Sequence, residues 1–217
     1  MTDYHAILKR VGFAWVIFGL VDIAFMIYCL MHRQGYSSSF NLFAVIIGIF
    51  LMRGSLRTTT LVIHFSAFML TLFIGIIFLF PFIQPTGLIL AQAKLNPLSS
   101  AVSWLMAVAV LALLVWTYRQ MRSQPVREAR IASGRTTTMP KIAIGFGIVL
   151  VVFMAVMLNM TLNGAIGAEA IELARKKLGP DYKYATQSIR ASGKHRSGIV
   201  AAYNDKEIKY VPVHWSE

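Results

Sequence analysis

Apolar residues fill the first 160 positions in blocks too long for the core of a soluble domain. The first block is Val11–Met31. Its ~21 residues, at 1.5 Å of helix rise each, cover a hydrocarbon core of about 30 Å. Further blocks lie at about Ser38–Met52, Thr59–Phe82, Ala101–Tyr118 and Ile142–Met160. The pattern predicts five transmembrane helices, the second being the shortest and needing Gly35–Ser37 to complete it. The first block is too long for the apolar core of a signal peptide, and the HRQGYSSS that follows lacks a small-residue cleavage site. It is expected to be a retained signal-anchor.

After Met160 the pattern changes. Ile166, Ala170, Leu173 and Ala174 fall at helical spacing within residues 165–178, and Glu172–Lys176 is a favourable i,i+4 pair. Gly164 and Gly167 are expected to loosen the exit from the membrane, and Gly179–Pro180 stops the helix. Three strand patterns follow, Tyr182–Arg190, Ser197–Tyr203 and Glu207–Trp215, with turns at Ala191–Arg196 and Asn204–Lys206. Val211, Val213 and Trp215 share one face, and Pro212 predicts an edge strand. The expected fold class is a membrane all-α bundle of five transmembrane helices (residues 1–160) plus a small C-terminal α+β domain (residues 161–217), a helix on a three-stranded antiparallel sheet. Some 50 residues is small for an independent fold, so the membrane surface or a partner is expected to complete that domain.

Charge gives the topology. The chain has 217 residues, 57% hydrophobic and 14% charged, with a formal net charge of +12. That charge in a soluble protein would point to nucleic acid. Here the cations sort by segment instead, which excludes nucleic acid as a partner. Arg119, Arg122, Arg127, Arg130, Arg135 and Lys141 crowd one short loop whose only acid is Glu128. Short loops of this kind stay on the cytoplasmic side. Lys9, Arg10, Arg53 and Arg57 then fall on the same side, and only Arg33 and Lys94 fall in the outside loops. Orientation accounts for the basic loop without lipid recognition. The expected N-terminus is cytoplasmic and the C-terminus periplasmic, in a multi-pass protein of a cell inner membrane. Trp104 at one end of the fourth span, with Trp116 and Tyr118 at the other, form an aromatic belt. In the outside loop Ile83–Ser100, the apolar Leu88–Leu95 is expected to lie at the outer interface as a short helix.

Candidate chemistry is sparse. Cys29 is the one cysteine, which excludes an intramolecular disulfide and Cys-type metal clusters. Asp22 sits near mid-membrane, where an ionised carboxylate costs at least ~2.5–3.5 kcal/mol. Three roles are open to it: a protonated or hydrogen-bonded group in the bundle, a polar contact to another subunit in a homo-oligomer, or a proton or cation relay. His64 is the other ionisable group within a span and lies nearer the inner headgroups. His5 and His32 are at opposite membrane faces, so a bis-histidine haem is excluded. His195 and His214 read as solvated. No metal-ligand spacing, Ser-His-Asp pattern or phosphate loop is present, and neither catalysis nor a cofactor is expected. Ser103-x-x-x-Ala107 and Ala143-x-x-x-Gly147 are small-residue pairs of the kind that let helices approach.

The tail resembles the C-terminal domain of the cytochrome c oxidase assembly factor family. The likeness rests on Leu178-Gly179-Pro180 at the end of a helix, on the strand–glycine turn–strand Ser188-Ile189-Arg190-Ala191-Ser192-Gly193-Lys194-His195-Arg196-Ser197-Gly198, and on a closing strand ending in Trp215. It covers about a quarter of the chain and carries over no catalytic or metal residue. The family has one membrane anchor where this chain has five apparent spans. The resemblance implies a domain that docks on other membrane subunits. The expected function is thus that of a non-catalytic accessory or assembly protein, docking on another membrane or periplasmic protein through an aromatic set, Tyr182, Tyr184, Tyr203, Tyr210 and Trp215. The alternative is a small transporter or channel built on Asp22 and His64.

Overall fold

The computed structural model describes residues 3–31, 41–193 and 195–216. The expected first outside link, with His32, Arg33 and Gly35–Ser37, lies outside them, as do the start of the second span and Lys194 in the glycine turn. Eight helices and three strands follow in order: α1 (Tyr4–Met31), α2 (Asn41–Met52), α3 (Leu56–Ile83), α4 (Thr86–Leu95), α5 (Pro97–Met121), α6 (Gln124–Ala132), α7 (Lys141–Leu162), α8 (Ala165–Leu178), β1 (Lys183–Ser192), β2 (His195–Tyr203) and β3 (Ile208–Ser216). Four helices, α1, α3, α5 and α7, are long and apolar enough to cross a membrane. Their large apolar side chains, Phe78, Leu105, Ile142 and Phe153 among them, are exposed, as a lipid solvent permits and water does not. The expected fifth span is not confirmed among the described residues. The 12 residues of α2 reach only ~18 Å, short of a hydrocarbon core.

The chain divides into two compact units. The first combines Met1–Leu70 with Leu111–Gly145. Its centre is an antiparallel pairing of α1 and α2. A Cβ on Gly12 would lie 2.5 Å from the Gly48 carbonyl oxygen, and one on Gly48 would lie 2.6 Å from that of Gly12. Each glycine therefore lets the other helix's backbone in, the close approach that drives helix pairing where lipid removes the hydrophobic force. The small-residue pairs picked out along α5 and α7 are not this contact. Ser103 is exposed and donates to the Ser99 carbonyl of its own helix at 2.9 Å. The Leu8, Val11, Trp15 and Gly19 stripe of α1 is buried. Trp15 Nε1 donates to Thr117 Oγ1 at 2.9 Å, which satisfies both polar groups inside an apolar contact. The same indole meets the Phe65 ring edge-on at 6.2 Å. At the other end of the pair, the His5 ring lies against Gly54, within 2.6 Å of where a Cβ would sit.

The basic loop contains a helix that its charge concealed. α6 starts after Ser123 with proline in its first turn and buries Val126 and Arg130, four apart.

The second unit combines Thr71–Val110 with Phe146–Glu217. The sheet order is β1-β2-β3, both ladders antiparallel, with an irregularity between Thr186 and Ser188. Strands β1 and β2 run two or more residues into the expected Ala191–Arg196 turn. β3 is an edge strand, so Pro212 removes no needed donor. α8 covers one face. Ala170 and Ala174 meet Val200, Ala202, Val211 and Val213, the small helix residues allowing close approach to the strands. α4 covers part of the other face. Leu88 and Ala91 of α4 pack on Ala185, Ala201 and Tyr203. Gly164 and Gly167 tighten the α7–α8 corner rather than loosen it. A Cβ on Gly167 would come within 2.0 Å of the Leu162 carbonyl oxygen.

Placing a side chain between α1 and α2 tests this packing. Gly12→Val is expected to destabilise the protein by at least ~1–3 kcal/mol through overpacking. Cys29 is 2% exposed, so its reaction with a maleimide on heating reports unfolding. The reaction should begin at a lower temperature in the variant. Unchanged onset would show that the two backbones are not in contact.

Candidate docking surface on the C-terminal sheet

Strand alternation divides the five aromatic residues between two faces of the sheet. Tyr182, Tyr184 and Trp215 pack against the α8 core. The Tyr184 hydroxyl donates to the Gly179 carbonyl, and Arg175 lies 5.7 Å from the centre of its ring. Gly179 has φ +87°, the left-handed conformation that ends a helix, so Tyr184 locks the close of α8. Trp215 Nε1 donates to Glu169 Oε2 at 2.9 Å, and Arg196 pairs with the same oxygen at 3.3 Å. Arg196 and Trp215 are directly opposite on β2 and β3, so this acid of α8 gathers two strands. These three aromatics hold helix to sheet.

Tyr182 also closes a surface triad. Its hydroxyl donates to Glu207, while Lys209 Nζ donates to that hydroxyl at 2.9 Å and to Glu207 Oε1 at 2.6 Å. The bonds from Lys209 and then Tyr182 hold the Glu207 carboxyl below its usual pKa. The bond to Glu207 raises that of Lys209. The group is solvated, and its role is to brace β3 against the start of β1.

Tyr203 lies on the opposite face, 6% exposed under α4, and burial raises the pKa of its hydroxyl. Beside it opens a cleft of about 300 Å³ between α4 and the strand ends, rimmed by Lys94, Asp181, Lys183 and Asp205. The rim balances two cations against two anions, and its lining offers no histidine, cysteine or hydroxyl nucleophile of serine type. Among the described residues, no three His, Cys, Asp or Glu side chains converge as a metal site requires.

Tyr210 alone of the five is well exposed, at 58%. It is opposite Ala201, so it stands on the α4 side of the sheet. Ile199 and its partner Pro212 lie on that same side and are also exposed. The three form an apolar patch that sequence reasoning missed. Parity along β2 and β3 could have found it, because Ile199, Ala201 and Tyr203 alternate away from Val200 and Ala202.

Asp22 is half-buried on α1 and engaged in an interaction there. His64 is exposed on α3, and its Nδ1 is 2.9 Å from the Thr60 carbonyl oxygen of its own helix. His195 and His214 are exposed.

Comparison of this chain with protein families, with curated proteins and with solved structures gave no match.

The division of the aromatic set separates packing from display. Trp215→Ala and Tyr184→Ala should each lower stability by ~1–3 kcal/mol, as loss of large, partly buried side chains packed on a core does. Tyr210→Ala should stay within ~0.5 kcal/mol of the parent. Thermal unfolding of the full chain in detergent measures all three. Equal losses would mean that Tyr210 is a core residue.

Proposed function

We propose that this chain is a non-catalytic accessory or assembly protein of a cell inner membrane, whose C-terminal α+β unit docks on another membrane or periplasmic protein. The observation that carries the reading is the part of the sheet that α8 and α4 leave uncovered. An apolar patch, Ile199, Tyr210 and Pro212, stays exposed beyond α4. Aromatic and aliphatic anchors of this kind are what protein interfaces bury. The outward-facing His64 gives less support to a relay with Asp22.

In this reading α2 completes a fifth crossing with residues that precede it. His5 against Gly54 supports this, because it brings the α2–α3 turn back beside the start of α1. Lys9, Arg10, Arg53 and Arg57 then share the cytoplasmic side with α6. α4 and the sheet share the periplasmic side.

A photo-crosslinking residue in place of Tyr210, in the full chain in its own membrane, tests the docking reading. The expected product is an adduct with one membrane or periplasmic protein, absent when Ile199→Asp is added. The same crosslinker at exposed Lys176, on α8, should not give it. Adducts that are equal from both positions, or that form only with lipid, would end the proposal.

A further inference from the structure

The buried face of α6 turns an orienting loop into a built cluster of guanidinium groups. Arg130 is 4% exposed, far deeper than arginine ordinarily sits. Its Nη2 donates to the Thr136 carbonyl, which ties the chain leaving α6 back to the helix. Its Nε is buried without a partner. Arg130 lines a cleft of about 170 Å³ with Arg122, Arg127, Met121, Ile131 and Thr137, room for about five waters at ~30 Å³ each. No carboxylate lines it. Glu128, the only acid of the segment, is exposed and accepts from Gln124 Nε2 at 2.8 Å.

Burial, and then the like charges of Arg135 and Arg122, hold Arg130 below the ordinary arginine pKa, although a guanidinium stays protonated. Desolvating one arginine among others costs free energy unless an anion joins them. Positive-inside orientation needs cations near the surface. It needs none of them buried.

We infer that this cleft binds a phosphate group, held by Arg122, Arg127 and Arg130. Guanidinium forks match phosphate oxygens in paired, charge-assisted bonds, which a scatter of exposed lysines would not provide. Two sources carry this chemistry. One is the phosphodiester of an anionic lipid, since Arg122 and Met121 continue directly from the end of α5. The other is a free phosphate or phosphoester in the adjoining solvent.

The test uses the full-length protein in two settings. In zwitterionic detergent it is titrated with inorganic phosphate. In phosphatidylcholine nanodiscs, with or without a minority of phosphatidylglycerol, retained lipid is counted by native mass spectrometry. The variants are Arg130→Gln and Arg127→Gln, with Arg57→Gln, an exposed cation at the start of α3, as control. Phosphate binding weakened roughly tenfold or more by the two cleft variants, and unchanged in the control, identifies a free phosphate site. One retained phosphatidylglycerol per chain, lost from the same two variants without a phosphate effect, identifies a lipid headgroup site. Either result supports the inference. Binding of neither probe, or equal losses in Arg57→Gln, overturns it. Should Arg130→Gln fail to fold, Arg127→Gln still decides, because Arg127 is exposed.

Discussion

The packing of α4 on the sheet is the contact on which the second unit depends. Without Leu88 and Ala91, the face carrying Ala185, Ala201 and Tyr203 would be bare, and a three-stranded sheet with one helix has too little core to stand alone. The contact also has a topological consequence. α4 links the end of α3 to the start of α5, and the sheet follows α7 and α8. For these to touch, the α3–α5 connection and the tail must lie on one side of any membrane the helices cross. Gln84, just beyond α3, adds a bond to Gln187 of β1 at 3.3 Å. The small domain is therefore tied to the helices at two points in sequence.

A different device holds the first unit. Its helices cannot rely on the hydrophobic effect where lipid is the solvent. Gly12 and Gly48 let α1 and α2 touch backbone to backbone, and the Trp15–Thr117 hydrogen bond satisfies polar groups that would otherwise be stranded. The basic α6 closes the unit, and its burial of Arg130 is its unexpected feature.

Much of this architecture was legible in the residues. Hydropathy marks α1, α3, α5 and α7, and helical spacing gives α8 as residues 165–178, the range observed. Alternation places Val211, Val213 and Trp215 on one face. What escaped depends on contacts distant in sequence. Nothing local to Leu88–Leu95 says that it will cover Tyr203 rather than lie on lipid. Tyr182, Tyr184 and Trp215 read equally as surface or core until α8 is laid against them. Ala44-x-x-x-Gly48 on α2 is a small-residue pair with both members buried, and it was passed over; Gly12 has no small partner four residues away on α1. α6 was hidden by charge, although Ser123, Pro125 and the Val126–Arg130 spacing mark a helix start with a buried side. The fifth span is not confirmed, since α2 supplies 12 residues and the start of the expected span lies outside the described ones.

The central claim is that α4 and the sheet share one compartment. Single cysteines in a Cys29→Ser background test it directly, at exposed Asn96 after α4 and at Ser216 at the end of β3. A membrane-impermeant maleimide added to intact cells should treat Asn96→Cys and Ser216→Cys alike, labelling both or, until the membrane is opened, neither. Labelling of one without the other would separate α4 from the sheet and contradict the account.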